Sequence, residues 1–143
     1  MVPTDRSREV PDVAYNAGIN GGVIVRAFCP ADPDVCGAND SVFFRVGGTS
    51  AGSPQWAGLI ALADNMARKR VGDVHKILYT LGSGGNASTY FHDITTGNNT
   101  LIFIGPGTGT PVPGFDAVPG YDMATGLGTP IANTLVPAIA AGS

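Results

Sequence analysis

The stretch Ser41-Val42-Phe43-Phe44-Arg45-Val46-Gly47-Gly48-Thr49-Ser50-Ala51-Gly52-Ser53-Pro54 decides how this chain is read. Its first six residues are β-branched or aromatic in four places and read as a strand. Two glycines then break the pattern, and Ser53-Pro54 is a helix-start signal, with serine as N-cap and proline at the first helical position. Downstream, Trp56, Leu59, Ile60, Ala63 and Ala67 recur at three and four residues, the period of one helix face. Arg68-Lys69-Arg70 puts cations at the end of that helix, where the dipole favours them. A strand, a Gly-Gly turn and a helix in this order present a hydroxyl at a helix N-terminus, where amides and the positive dipole end can meet a developing oxyanion. Ser50 is therefore a candidate nucleophile, and a plain strand-to-helix turn with capping hydroxyls is the other reading of the same residues.

Working outward, residues 10–16 and Val23–Phe28 read as extended, and the second is expected to pair with Ser41–Val46. Asp73 is expected to cap a short helix over residues 74–81 that stops at Gly82. From residue 83 to 129 glycine, asparagine, threonine and proline dominate, leaving only short extended pieces at 89–94 and 101–104. An irregular stretch of that length usually has a function or a bound ion to hold it. A last helix over residues 130–141 begins with Thr-Pro and is interrupted by Pro137. No internal repeat and no second domain is visible, so residues 1–143 are read as one domain.

The composition narrows the function classes. The chain has 143 residues, 13% of them charged, with 21 Gly, 11 Pro and a net charge of −3. Hydrophobic content of 43% argues against intrinsic disorder, and the absence of a basic excess argues against nucleic-acid binding. The apolar runs at 101–104 and 131–141 are too short to span a bilayer. Met1-Val-Pro-Thr-Asp-Arg-Ser-Arg-Glu has no apolar core of a secretory signal, so the expectation is either a cytoplasmic chain or one whose front has been removed. Cys29 and Cys36 flank a turn-rich spacer and are expected to form a small local disulfide in oxidising surroundings, with metal ligation as the weaker alternative. Gly105-Pro-Gly-Thr-Gly-Thr lacks the lysine of a phosphate loop. Asn39, Asn86 and Asn98 open glycosylation sequons that matter only in a eukaryotic secreted setting.

The segment Gly47-Gly48-Thr49-Ser50-Ala51-Gly52-Ser53-Pro54, after a hydrophobic strand and before Gln-Trp-Ala-Gly-Leu-Ile-Ala-Leu, resembles the serine motif of subtilisin-type peptidases and of the serine-carboxyl peptidases, or sedolisins. In the subtilisin order the histidine base precedes the serine. Here His75 and His92 both follow Ser50, and each reads as a solvated or satisfied histidine. Three further blocks are similar to sedolisin blocks in the family's order: Val10-Pro11-Asp12-Val13-Ala14; Phe91-His92-Asp93-Ile94-Thr95-Thr96-Gly97-Asn98; and Gly120-Tyr121-Asp122-Met123-Ala124-Thr125-Gly126-Leu127-Gly128-Thr129-Pro130. The resemblance thus runs from about residue 8 to the end.

That resemblance implies the C-terminal part of a catalytic domain with a subtilisin-like α/β fold, a largely parallel sheet with flanking helices and a long calcium-binding loop region. It implies a serine activated by a glutamate that an aspartate holds, with a second aspartate at the oxyanion, and peptide hydrolysis at acidic pH. In the family all three carboxyl residues lie upstream of these blocks. Glu9 is the only glutamate here, and Asp5, Asp12, Asp32, Asp34 and Asp40 read as turn or surface residues. Catalysis by this chain alone is therefore doubtful. The resemblance further implies a Ca²⁺ site built on Asp93, Ile94, Val118, Gly120 and Asp122, where Val118 replaces a frequent glycine. Implied partners are a peptide or protein substrate and either a missing N-terminal half or a second copy; the family's setting is secreted or an acidic compartment. A non-catalytic calcium-binding module, or a subunit of a split peptidase, is the alternative.

Overall fold

A computed structural model describes residues 9–28, 41–101 and 110–142. Strands β1 (Val23–Phe28) and β2 (Ser41–Val46) are followed by helices α1 (Thr49–Ala67) and α2 (His75–Gly82) and a 3₁₀ turn at Ala87–Thr89. The short strands β3 (Phe91–His92) and β4 (Thr129–Pro130) and helix α3 (Ala132–Gly142) complete the order. The chain divides into two compact units: Tyr15–Gly58, and the segment before Tyr15 together with everything from Leu59 onward.

In the first unit β1 and β2 form a two-stranded ribbon in continuous register from Val23↔Val46 to Phe28↔Ser41. The expected pairing is found, but it is antiparallel. β3 and β4 also pair antiparallel, Phe91 with Pro130 and His92 with Thr129. The expectation of a largely parallel sheet with flanking helices is therefore overturned among the described residues: there are two separate two-stranded antiparallel sheets. The reason lies in connectivity. A parallel neighbour needs a crossover, usually helical, whereas strands that follow one another through a simple reversal run in opposite directions. Twelve residues separate Phe28 from Ser41, and no helix of the described chain returns a strand beside β1 or β2.

Alternation along the ribbon gives it two unlike faces. Val23, Val25, Ala27, Val42, Phe44 and Val46 share one face, which is wholly apolar. Ile24, Phe28 and Phe43, each about 70% exposed, share the other with Arg26 and Arg45. There Arg26 Nε and Nη2 donate to Ser41 Oγ at 3.2 and 3.0 Å.

Helix α1 starts at Thr49, four residues before the expected cap, so that Pro54 lies inside it. Gly48 takes φ +75°, and its carbonyl accepts the Ala51 N–H at 3.0 Å, which winds the chain into the helix early. Pro54 has no N–H to offer the carbonyl four residues back, that of Ser50, but this close to a helix start the loss is small. The helix ends at Ala67, just before the three cations. Arg68 is left-handed at φ 54°, and Asp64 accepts the Val71 N–H at 2.7 Å to close the exit.

The second unit packs its core from Ala63, Val71, Leu78, Phe91, Leu127, Leu135, Val136 and Ile139. Leu135 and Ile139 are one helical turn apart and fully buried, which fixes the inner face of α3. Helix α3 begins two residues later than expected because Pro130 pairs with Phe91, and the Ile131 N–H then donates to Tyr90 O at 2.8 Å. Residues 10–14 form no strand, yet they are tied along the chain near β4: Leu127 N donates to Asp12 O and Ala14 N to Gly128 O, both at 2.9 Å. The long irregular stretch is held by single bridges, Asn98↔Asp116, Leu101↔Val112 and Asp122↔Gly126. Among the described residues no helix is long and apolar enough to cross a membrane.

Candidate functional site

Ser50 is the second residue of α1 and is exposed. The turn before it depends on glycine: a Cβ on Gly47 would stand 2.9 Å from Ala17 O, and Gly48 donates its N–H to that same carbonyl at 2.8 Å. The serine thus sits on a backbone pinned from behind, with the first amides of α1 beside it, the arrangement that suits oxyanion stabilisation. His75 and His92 belong to the other unit, on α2 and β3. Cys29, Cys36, Asn39, Asp5, Asp32, Asp34 and Asp40 lie outside the described residues.

Of the residues expected to hold calcium, two pairs are hydrogen-bonded in the second unit: Gly120 with Asp93, and Val118 with Asp122. Gly120 donates its N–H to Asp93 Oδ2 at 2.8 Å, which joins two blocks 27 residues apart. Val118 donates to Asp122 Oδ2 at 3.0 Å; Ala124 and Thr125 donate backbone N–H groups to Asp122 Oδ1 at 2.9 and 2.7 Å. The Thr125 hydroxyl adds bonds to both oxygens. Asp122 is only 3% exposed. Burial by itself raises its pKa, but the amides of Val118, Thr125 and Ala124, with the Thr125 hydroxyl, outweigh it and hold the carboxyl below its ordinary value of 3.8. Ile94 follows Asp93 directly. Gly120 takes φ +83°, a position natural only to glycine, whereas Val118 is not left-handed, so replacing a glycine there strains nothing.

Among the described residues no group of three or more His, Cys, Asp or Glu side chains is arranged to hold a metal ion. A cation in this turn would need the carbonyls of Ile94, Val118 and Gly120 beside the two carboxylates. That all-oxygen set has the chemistry of a hard divalent ion such as Ca²⁺, and it excludes a soft thiolate site.

One network was not foreseen. Tyr79 donates its hydroxyl to Asp12 Oδ1 at 2.7 Å, across 67 residues of sequence, and His75 Nε2 stands 3.7 Å from Asp12 Oδ2. His75 Nδ1 lies 2.5 Å from Asp73 Oδ1, which also accepts the His75 N–H at 3.0 Å; the cap position itself falls at Val74, one residue later than expected, and makes no side-chain cap bond. Burial, then the bond to Asp12 and its charge, push the Tyr79 phenol far above its ordinary value. The four-residue spacing of His75 and Tyr79 on one helix face was the only local signal. Asp12 thus contacts two side chains of α2, Tyr79 and His75, and it stands in the unit that does not contain Ser50.

The chain is homologous at family level to the sedolisin-like serine-carboxyl peptidases, through partial matches to several of them. It is 36% identical over 132 residues to kumamolisin of Bacillus sp. (strain MN-32), covering 92% of this chain and 20% of kumamolisin. To aorsin of Aspergillus oryzae it is 38% identical over 128 residues, covering 82% of this chain and 17% of aorsin. To tripeptidyl-peptidase sed4 of Aspergillus fumigatus it is 39% identical over 101 residues, covering 61% and 16%. The chain therefore spans about a fifth or less of the length of these curated relatives. No family model matches it.

Proposed function

We propose that this chain is the C-terminal, serine-bearing part of a serine-carboxyl peptidase catalytic domain. In this reading Ser50 Oγ attacks the scissile carbonyl, the N-terminal amides of α1 help to hold the oxyanion, and an acyl-enzyme forms on Ser50 before water releases it. The activating glutamate, its partner aspartate and the oxyanion aspartate are supplied by the remainder of the domain, so hydrolysis of peptides in acid belongs to the assembled enzyme and not to this chain by itself. Asp93 and Asp122, with the carbonyls of Ile94, Val118 and Gly120, would hold Ca²⁺, whose role is to pin the long irregular segment. The observation that supports the reading is that Gly120 donates its N–H to Asp93 and Val118 donates its N–H to Asp122, so that two of the implied carbonyl residues are bonded through their amides to the two implied carboxylates.

Calorimetric titration with Ca²⁺ tests it. One site per chain is expected, lost in Asp93→Ala, and saturation at a hundredfold excess over Kd should stabilise the folded chain by about 2.7 kcal/mol. A flat titration removes the calcium assignment. A fluorogenic peptide incubated with the chain at pH 3–5 should show no turnover. Turnover that vanishes in Ser50→Ala would mean that a carboxylate within this chain activates the serine, and the division of labour proposed here would be wrong.

A further inference from the structure

Asn20-Gly21 is the one place in this chain where an asparagine is followed by glycine. The pair forms the middle of an exposed turn in the first unit, closed by the Gly22 N–H donating to Ile19 O at 3.1 Å. Gly21 takes φ +87°, which glycine adopts without strain. Asn16 holds the turn from one side: its Nδ2 donates to Gly21 O at 3.0 Å, and its Oδ1 accepts the Gly18 N–H at 3.1 Å. Among the described residues neither the Asn20 side-chain amide nor the Gly21 N–H has a hydrogen-bond partner.

That freedom has a chemical meaning. An asparagine side-chain carbonyl carbon stands within reach of the backbone nitrogen of the next residue, so the two react as an intramolecular pair once nothing holds them apart. A side chain on that next residue crowds the approach, and glycine has none. Asn16 and Asn99 lack this freedom, since each has both its side-chain oxygen and its nitrogen bonded, and they precede alanine and threonine.

We propose that Asn20 is a site of spontaneous deamidation, and that its isoaspartyl product loosens the turn that backs Ser50. The Gly21 nitrogen, its proton lost to a base of the solvent, attacks Asn20 Cγ. The N–Cγ bond forms, the Cγ–Nδ2 bond breaks, and Nδ2 takes up a proton and leaves as ammonia. Water then opens the cyclic imide at either carbonyl. Opening at Cγ gives aspartate; opening at the main-chain carbonyl gives isoaspartate, whose backbone runs through the side-chain methylene. Either product adds one negative charge at neutral pH.

Only isoaspartate lengthens the backbone of the turn. Gly22 cannot yield to that extra bond, because it is pressed against β2: a Cβ there would stand 2.6 Å from Val46 O. The displacement therefore falls on the Ala17–Ile19 side. Ala17 O accepts the Gly48 N–H at 2.8 Å, and a Cβ on Gly47 would meet Ile19 Cγ1 at 3.1 Å and Ile19 N at 3.2 Å. Lengthening the turn thus disturbs the support of Gly47 and Gly48, directly before the serine. The deamidation and its effect on Gly48 stand apart from the role proposed for Ser50; only a consequence for catalysis rests on it.

The test is to incubate the full chain in mildly alkaline buffer, once folded and once unfolded in urea, and to follow the peptide carrying Asn16 and Asn20 by mass spectrometry. Methylation by an isoaspartyl methyltransferase counts the isoaspartate. Conversion of Asn20 in the folded chain within about ten-fold of the unfolded rate is expected, with both products formed and Asn16 unchanged. Asn20→Gln should abolish it, because the longer side chain closes a less favoured ring. In amide NMR spectra the isoaspartyl form should show a shifted Gly48 N–H that exchanges about ten-fold faster or more. Asn20→Asp, which adds the charge without the extra bond, should leave that signal in place. Protection of Asn20 by the fold of more than about ten-fold overturns the site. Conversion without isoaspartate, or a Gly48 amide that is unchanged in the isoaspartyl form or moved equally by Asn20→Asp, overturns the coupling to the serine turn. Ser50→Ala should alter neither result, so a failure of the nucleophile assignment is separable from a failure here.

Discussion

Asp122→Ala should destabilise the chain even when no metal is present. The carboxylate is 3% exposed and accepts backbone N–H bonds from Val118, Ala124 and Thr125, together with the Thr125 hydroxyl. Truncation to alanine strands three amides at once. Each buried donor left unsatisfied costs about 1–3 kcal/mol, and water entering the space left by the side chain offsets part of that, so the expected loss is about 3–5 kcal/mol. That is a large share of the 5–15 kcal/mol typical of a whole domain. Asp122→Asn keeps one acceptor oxygen for Ala124 and Thr125 but turns an amide toward the Val118 N–H, so its loss should be smaller, about 1–3 kcal/mol.

The assay is urea unfolding at 25 °C in excess chelator, followed by far-ultraviolet circular dichroism. The sign of the pH dependence follows from the lowered pKa. A carboxyl held below its ordinary value of 3.8 contributes stability that is fully present above that value and is lost as pH falls through the folded one. The gap between wild type and Asp122→Asn should therefore stay constant from pH 7 down to about 4 and close only in stronger acid. If Asp122→Ala in chelator lies within about 1 kcal/mol of wild type, the hydrogen bonds of the turn contribute little and the reasoning fails.

Three other outcomes are expected. Tyr79→Phe removes a bond to a carboxylate and should cost about 1.5–3 kcal/mol in the same unfolding assay, with His75→Ala costing less because its 3.7 Å approach to Asp12 is looser. Gly128→Ala should fail to fold or lose most of its stability, since at φ +89° the new Cβ would stand 2.1 Å from His92 O; soluble expression with an unchanged melting curve would contradict the backbone path at β4. Sedimentation at micromolar concentration should show association through the β1–β2 ribbon, whose strands have free edges among the described residues and whose Ile24, Phe28 and Phe43 are about 70% exposed. Phe43→Lys should shift that equilibrium to monomer, and a wild type that is already monomeric would refute the expectation.

Features carried by neighbouring residues were legible in the sequence. The three- and four-residue recurrence from Trp56 to Ala67 marks α1, Asp73 marks the start of α2 to within one residue, and the β-branched runs mark β1 and β2 and their pairing, because propensity, capping and side-chain period act over a few residues. The blocks around Asp93 and Asp122 could be read for composition, but not for burial or for the bond from Gly120 to Asp93. The direction of pairing was not legible: a strand pattern is the same whether its neighbour runs parallel or antiparallel, and the connection decides. Ser53-Pro54 marked a helix start too late because the turn at Gly48, backed by Ala17 O, begins the winding earlier than the local cap signal. Pro130 was lost to the last helix because Phe91, far upstream, claims it as a strand partner. The contact of Tyr79 with Asp12 likewise comes from segments more than sixty residues apart, which only the closing of the chain into a packed unit brings together. Short-range preferences fixed which elements exist; long-range burial and hydrogen-bond satisfaction fixed where they begin, what they pair with and which carboxylates stand inside.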